Sequence, residues 1–217
     1  MQFIHRHRLV LAIAGSGIAL AVLVAIGVYG LLRGPAKASQ PERRAPDASV
    51  SSTSTPLPDR PRPVLVTTDA ELFASSVAAA LFTWDTRHEG DLSEWVQVLV
   101  DVADADEAAA VASDVRGYLP SIEMWGQLSA YGTRQWFERK SVAIPAAWST
   151  ALEQAASGQI PRGAAAFTVV GSRHRAGTWD TEVIRTERKV AFTVFVVCPG
   201  QEPCRLLRLS QLDRPLE

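Results

Sequence analysis

The chain has 217 residues and a net charge of −1, a length that allows one or two domains. That balance hides two unequal parts: residues 1–66 carry eight Lys/Arg against Glu42, Asp47 and Asp59 (net +5), and residues 67–217 carry fourteen against twenty Asp/Glu (net −6). Affinity for a phosphate backbone depends on cation density, so the acidic part argues against direct nucleic-acid binding by an outer domain.

Leu9–Leu32 is an uncharged run of 24 residues. At about 1.5 Å per residue a helix of this length reaches about 36 Å, enough to cross a hydrocarbon core of about 30 Å with some tilt. A lone spanning segment has to be helical, because only a helix satisfies its own backbone in lipid. A cleaved secretory signal is the competing reading, since Ala36-Lys37-Ala38 offers a small-x-small site. Its apolar region, however, usually runs to only about 7–15 residues. Arg6 and Arg8 on one side face Arg33 and Lys37 on the other, close to a tie in the positive-inside count. The short basic tail 1–8 favours an N-terminus inside and the remaining chain outside. The expectation is a single-pass cell-membrane protein with an extracytoplasmic C-terminal domain. Gly17, Ala21 and Ala25 recur every four residues, either as a helix-packing stripe or as ordinary small residues of such a helix. Residues 33–66 then turn to Pro, Ser, Thr, Arg and Ala with seven prolines, the composition of a disordered linker.

The domain expected over 67–217 opens on Thr68-Asp69-Ala70-Glu71, a capping box. Phe73, Val77, Ala80, Leu81 and Trp84 follow at helical spacing and define a helix of about 17 residues. Asp91-Leu92-Ser93 starts a second segment. Trp95, Leu99 and Val102 share a helical face there, while Val96, Val98, Val100 and Val102 alternate as in a strand, so residues 95–102 fit either state. Asp104 and Glu107 cap a helix with Ala108, Val111, Val115 and Leu119 inward, stopped by Pro120. Ser121 begins another, with Met124, Trp125, Leu128 and Tyr131, ended at Gly132.

After Gly132 the apolar period changes from 3.6 to 2. Gln135–Ile144 reads as a strand, and Pro145 seeds a short helix with Trp148, Leu152 and Ala155, closed by Gly158 and Pro161. Ala165–Arg173, Trp179–Thr186, Lys189–Cys198 and Cys204–Gln211 follow as strands, with turns at Ala176-Gly177 and Pro199–Pro203. Helices followed by an antiparallel meander predict an α+β domain, with a curved sheet wrapping the helices.

Cys198 and Cys204 flank the last hairpin loop, where paired strands place them nearly opposite each other. A structural disulfide is expected, with free thiols or metal ligation as alternatives; zinc would need two further ligands that His88 and His174 do not supply at a recognisable spacing. Asp85 with His88, and His174 with Asp180, are pairs that can line a pocket. No nucleophile, phosphate loop or paired-carboxylate motif accompanies them, so no catalytic role and no cofactor are expected. Trp84, Trp95, Trp125, Trp136, Trp148 and Trp179 fall mostly on apolar faces and read as core, with one or two left to anchor a partner.

The organisation resembles the bitopic scaffold subunit of type IV secretion and conjugation machines: short cytoplasmic tail, one membrane helix, linker and outer domain. Phe192–Cys198 (FTVFVVC) and Cys204–Leu216 (CRLLRLSQLDRPL) look like segments of actinobacterial membrane proteins of conjugative elements. The resemblance implies a nuclear-transport-factor-two-like cone over residues 68–216, a non-enzymatic role, self-association into a homo-oligomer, and contacts with other channel or envelope proteins. A membrane-tethered accessory or sensor module of the envelope is the alternative, and an enzyme using the cone pocket the third.

Overall fold

The computed structural model describes residues 60–88 and 90–217. The membrane helix expected at 9–32 and the linker up to residue 59 lie outside the described residues. Among those described, no helix is long and apolar enough to cross a membrane.

The first helix, α1 (Ala70–Phe82), begins where the Asp69 side chain accepts from Leu72 N at 2.9 Å. The cap is thus Asp69, one residue after the Thr68 that heads the sequence box. The helix is also shorter than the 17 residues expected. Thr83 turns extended so that β1 (Trp84–Asp85) can pair with the next strand, Trp84 opposite Gln135. Seven of the thirteen α1 residues are buried, among them Phe73, Val77, Leu81 and Phe82, because the helix lies in the hollow of the sheet. The Phe82 ring packs on Phe137, Phe192 and Tyr118 at centroid distances of 5.2, 5.3 and 5.7 Å. Burying each such ring contributes about 1.5–3 kcal/mol, which makes this cluster the centre of the core.

Three helices follow: α2 (Leu92–Val100), α3 (Ala108–Arg116) and α4 (Ile122–Ala130). The open choice over 95–102 resolves to helix as far as Val100. Asp91 caps it by accepting from Ser93 N, and Trp95 and Leu99, four apart, are its buried residues. The alternating valines reflect a helix that is apolar on two faces. Ser121 caps α4 as expected, accepting from Met124 N. Yet α4 fully buries no residue: Met124 and Tyr131 are exposed, and Trp125 and Leu128 are half-buried.

The sheet has five antiparallel strands in sequence order: β1, β2 (Arg134–Ala143), β3 (Ala164–Trp179), β4 (Glu182–Val197) and β5 (Arg205–Leu209). A short helix, α5 (Ala147–Gln154), joins β2 to β3. Register shifts between Arg139 and Ser141 and between Phe195 and Val196 accompany the curl of the sheet into half a barrel around α1.

β3 and β4 correct the sequence reading. Instead of three strands with a turn at Ala176-Gly177, two strands of sixteen residues pair without a break from Ala164–Val197 to Trp179–Glu182. The turn is Asp180-Thr181, with Asp180 in the left-handed region at φ 55°. Gly177 sits within the ladder opposite Ile184, and a Cβ there would come 2.9 Å from Thr133 Oγ1. Its role is close approach to the α4–β2 connection, not chain reversal. At about 3.3 Å per residue each strand is about 50 Å long, longer than the core needs. Residues 182–189 of β4 are all exposed, whereas Val190, Phe192, Val194 and Val196 are buried.

At the N-terminal side the packed domain reaches back past residue 67. Val64 is buried in the core, Leu65 N donates to Ser76 Oγ, and Cys204 N donates to Thr67 O at 2.8 Å.

Candidate interaction surface

The Cys198–Cys204 disulfide forms as expected, one pair beyond Val197–Arg205 at the loop end of the β4–β5 hairpin. Cys204 is buried and belongs to the core cluster, so the bond fixes the loop to the domain interior.

The two Asp/His pairs are not brought together. Asp85, buried, is held by Arg87 through both side-chain and backbone hydrogen bonds. Burial alone would push its carboxyl up; the Arg87 hydrogen bonds and charge, with Arg134 behind, outweigh this and hold it below the ordinary range. His88 instead meets Glu94, Nε2 to Oε2 at 3.1 Å. His174 stacks on Trp136 with ring centroids 5.3 Å apart, and its Nε2 lies 3.3 Å from Glu138 Oε2 but off the direction a hydrogen bond requires. Asp180 is six residues further along β3–β4, at the turn, about 20 Å away along an extended strand. No group of three or more His, Cys, Asp or Glu gathers at metal-binding range among the described residues.

The tryptophans divide more evenly than their spacing implies. Trp84 and Trp95 are buried, with Trp125 half-buried between them at 5.4 and 6.3 Å. Trp136 and Trp148 are half-buried, and Trp179, 61% exposed, stacks on the exposed Tyr131 at 5.0 Å.

The largest predominantly apolar concavity lies on the helical layer. A groove of about 540 Å³ runs between α2 and α3 to the start of α4. Leu92, Val96 and Val100 line one side, Ala112 and Leu119 the floor and far side, and Pro120 and Ile122 the end. Pro120 sets the sharp turn that ends the α3 region, and the Ser121 cap then aims the first residue of α4 outward. Ile122 consequently stands 81% exposed beside the groove. An apolar side chain in that position loses about 1.5–3 kcal/mol relative to burial, which a partner's apolar surface recovers. Arg116 at the rim is the basic residue bordering it. The sequence reading did not single out this groove. Its signal in the sequence is the second apolar face of α2, Val96 and Val100, whose alternation equally fits a strand.

No protein-family model, curated protein or solved structure matches this chain, so what it does has to be argued from its own residues.

Proposed function

We propose that this chain is a non-catalytic, membrane-anchored scaffold subunit of a conjugative or type IV secretion-like channel. It acts through protein–protein contacts of the α+β domain, whose curled sheet around α1 we read as a nuclear-transport-factor-two-like cone. The observation that carries the reading is the exposed apolar groove ending at Ile122, which suits an apolar helix or strand of a partner protein. The uncharged 9–32 segment supports it from the sequence: a tether raises the local concentration of neighbouring subunits, so weak contacts in a single groove suffice for assembly. The resemblance of Phe192–Cys198 and Cys204–Leu216 to conjugative-element membrane proteins points to the same class.

The test is a photoreactive residue at Gln97, an exposed residue lining the same groove, in the full-length chain and its native membrane. Crosslinks to other channel subunits or to a second copy are expected, and adding Ile122→Asp to that reporter chain should abolish them while the protein melts as cooperatively as wild type. An Ile122→Asp protein that is folded, retains every crosslink made from Gln97, and supports full function would refute the groove as the docking surface.

A further inference from the structure

The concave face of the sheet carries a second feature, away from the helical groove. Beyond the core, β3 and β4 continue the row of inward side chains with Arg173 and Arg175 on one strand and Thr186 and Arg188 on the other. Arg173 stands directly opposite Arg188 in the ladder, and Arg175 opposite Thr186. Like charges directly across a sheet repel, and an ordinary solvated face avoids that placement. Neither Arg173 nor Arg188 has a carboxylate within 4 Å among the described residues. The five ion pairs there belong to Arg87, His88, His174, Arg205 and Arg208. Asp213, whose charge Arg173 feels, is engaged by Ala191 N at 3.3 Å. The Glu187 carboxylate interacts with His174, Lys140 and Lys189 on the opposite face.

Arg175 is held in place rather than free. Its Nε donates to Gln135 Oε1 at 2.7 Å, and its guanidinium lies 5.1 Å from the centre of the buried Trp84 ring. Gln135, itself only 1% exposed, donates in turn to Phe82 O at the end of α1. One N–H of Arg175 is used in this chain and four remain. Partial burial, and then the charges of Arg173 and Arg188, push the Arg175 guanidinium below its ordinary range, so an anion here would relieve a real repulsion.

The three arginines line a cavity of about 260 Å³ together with Thr186 and Glu187. It shares Arg175 and Thr186 as a common wall with a second cavity of about 240 Å³, whose surface is almost wholly apolar. Leu128, Tyr131, Gly177, Trp179 and Ile184 form that second chamber, with the Tyr131–Trp179 stack as its outer wall. The two chambers together measure what a flat ring system with one charged substituent needs, and the arginine fork suits a carboxylate or a phosphate equally.

We infer that Arg173, Arg175 and Arg188 hold the oxyanion, carboxylate or phosphate, of a small aromatic organic anion whose ring occupies the cavity walled by Tyr131, Trp179 and Ile184. The site shares no lining residue with the groove at Ile122, touching α4 only at Leu128 near its other end, so either reading stands if the other fails. It would make the domain responsive to a soluble metabolite in addition to its protein contacts.

Binding to the full-length chain is measured by ligand-observed NMR and calorimetry with 2-naphthoate, 1-naphthyl phosphate, neutral 2-naphthalenemethanol, inorganic phosphate and a Glu-rich peptide. Saturable binding of at least one naphthyl anion is expected, with the neutral alcohol at least about tenfold weaker and Arg173→Gln/Arg188→Gln losing about tenfold or more. Preference between the two anions decides carboxylate against phosphate. Ile184→Ser, which removes apolar wall without adding charge at an exposed position, should weaken both naphthyl anions. Equal binding of the neutral alcohol, unchanged affinity in a folded double-arginine variant, or no binding by either naphthyl anion would each overturn the proposal. Tighter binding of the peptide, lost in the same variants, would overturn it in favour of an acidic protein partner.

Discussion

Asp114 joins helix to sheet through a single carboxylate. It accepts from Arg208 Nε and Nη2 at 2.8 and 3.0 Å and from Leu209 N at 3.0 Å, so α3 is tied to β5. Burial pushes its carboxyl up, but the Arg208 and Leu209 hydrogen bonds outweigh this and hold it below the ordinary range. A group with a depressed folded value stabilises above its unfolded value, near pH 4, and that stability is lost as the pH falls through the folded value. Asp114→Asn should therefore cost about 1 kcal/mol at pH 6, discounted for the half-exposed guanidinium. The difference from wild type should shrink as the pH falls from about 4 and close once it is below the depressed folded value, where the wild-type carboxylate is protonated as well. Chemical denaturation at both pH values checks this, and a gap that persists at low pH would make the loss one of shape rather than charge. None of this was legible in the chain, since Asp114 and Arg208 are 94 residues apart and only the fold brings them together. The same limit applies to His88, which meets Asp85 only through its backbone N–H while its side chain meets Glu94.

Helix starts were the most legible elements, because a cap is chemistry within three residues. Asp91 and Ser121 sit where they were expected, and Asp69 one residue from Thr68. The β3–β4 hairpin was the least legible. Its turn residues, Asp180-Thr181, lack the glycine that usually marks such turns, while Gly177 looks like a turn and is not one. A glycine records that something is close, and local sequence does not say what. Gly171 shows the difference in energy: a Cβ there would lie 2.4 Å from the Phe137 ring and 2.5 Å from Glu138 O, beside the irregularity in β2. Gly126, within the exposed α4, would meet nothing within 4 Å. Gly171→Ala should destabilise by about 1–3 kcal/mol through overpacking, and Gly126→Ala should stabilise by about 0.5–1 kcal/mol through helix propensity. Equal and opposite shifts in melting temperature are not required, but the same sign for both would contradict the packing described.

Across the whole molecule, the α+β class and the helix-then-meander order were visible in the change of period after Gly132. The distribution of charge was not. Residues 67–133 hold twelve Asp/Glu and two Lys/Arg, and residues 134–217 hold eight and twelve, so the net −6 averages a strongly acidic helical part and a basic sheet part. That average hid Arg173, Arg175 and Arg188. The disulfide is the opposite case, legible because its two cysteines are six residues apart across a turn. Closing so short a loop constrains the unfolded chain only slightly, so Cys204→Ser should cost about 2 kcal/mol and leave the fold intact at equilibrium.

Force tells a different story from equilibrium. The strand-like segment that enters the domain is fastened by Val64 in the core and by Thr67 O to Cys204 N. Any pull carried by the chain before residue 60 is thus delivered first to a covalently closed loop. With the disulfide intact, the load arriving at Cys204 is shared with Cys198 and so with β4, a sixteen-residue strand paired with β3 along its whole length. Without it, the same load peels β5, five residues long, from one edge of the sheet. In a pulling experiment with handles at residues 60 and 217, Cys204→Ser or a reductant should lower the first rupture force well out of proportion to the small change in stability. The staple behaves as a mechanical coupling, a role for the two cysteines where stability alone asks for little.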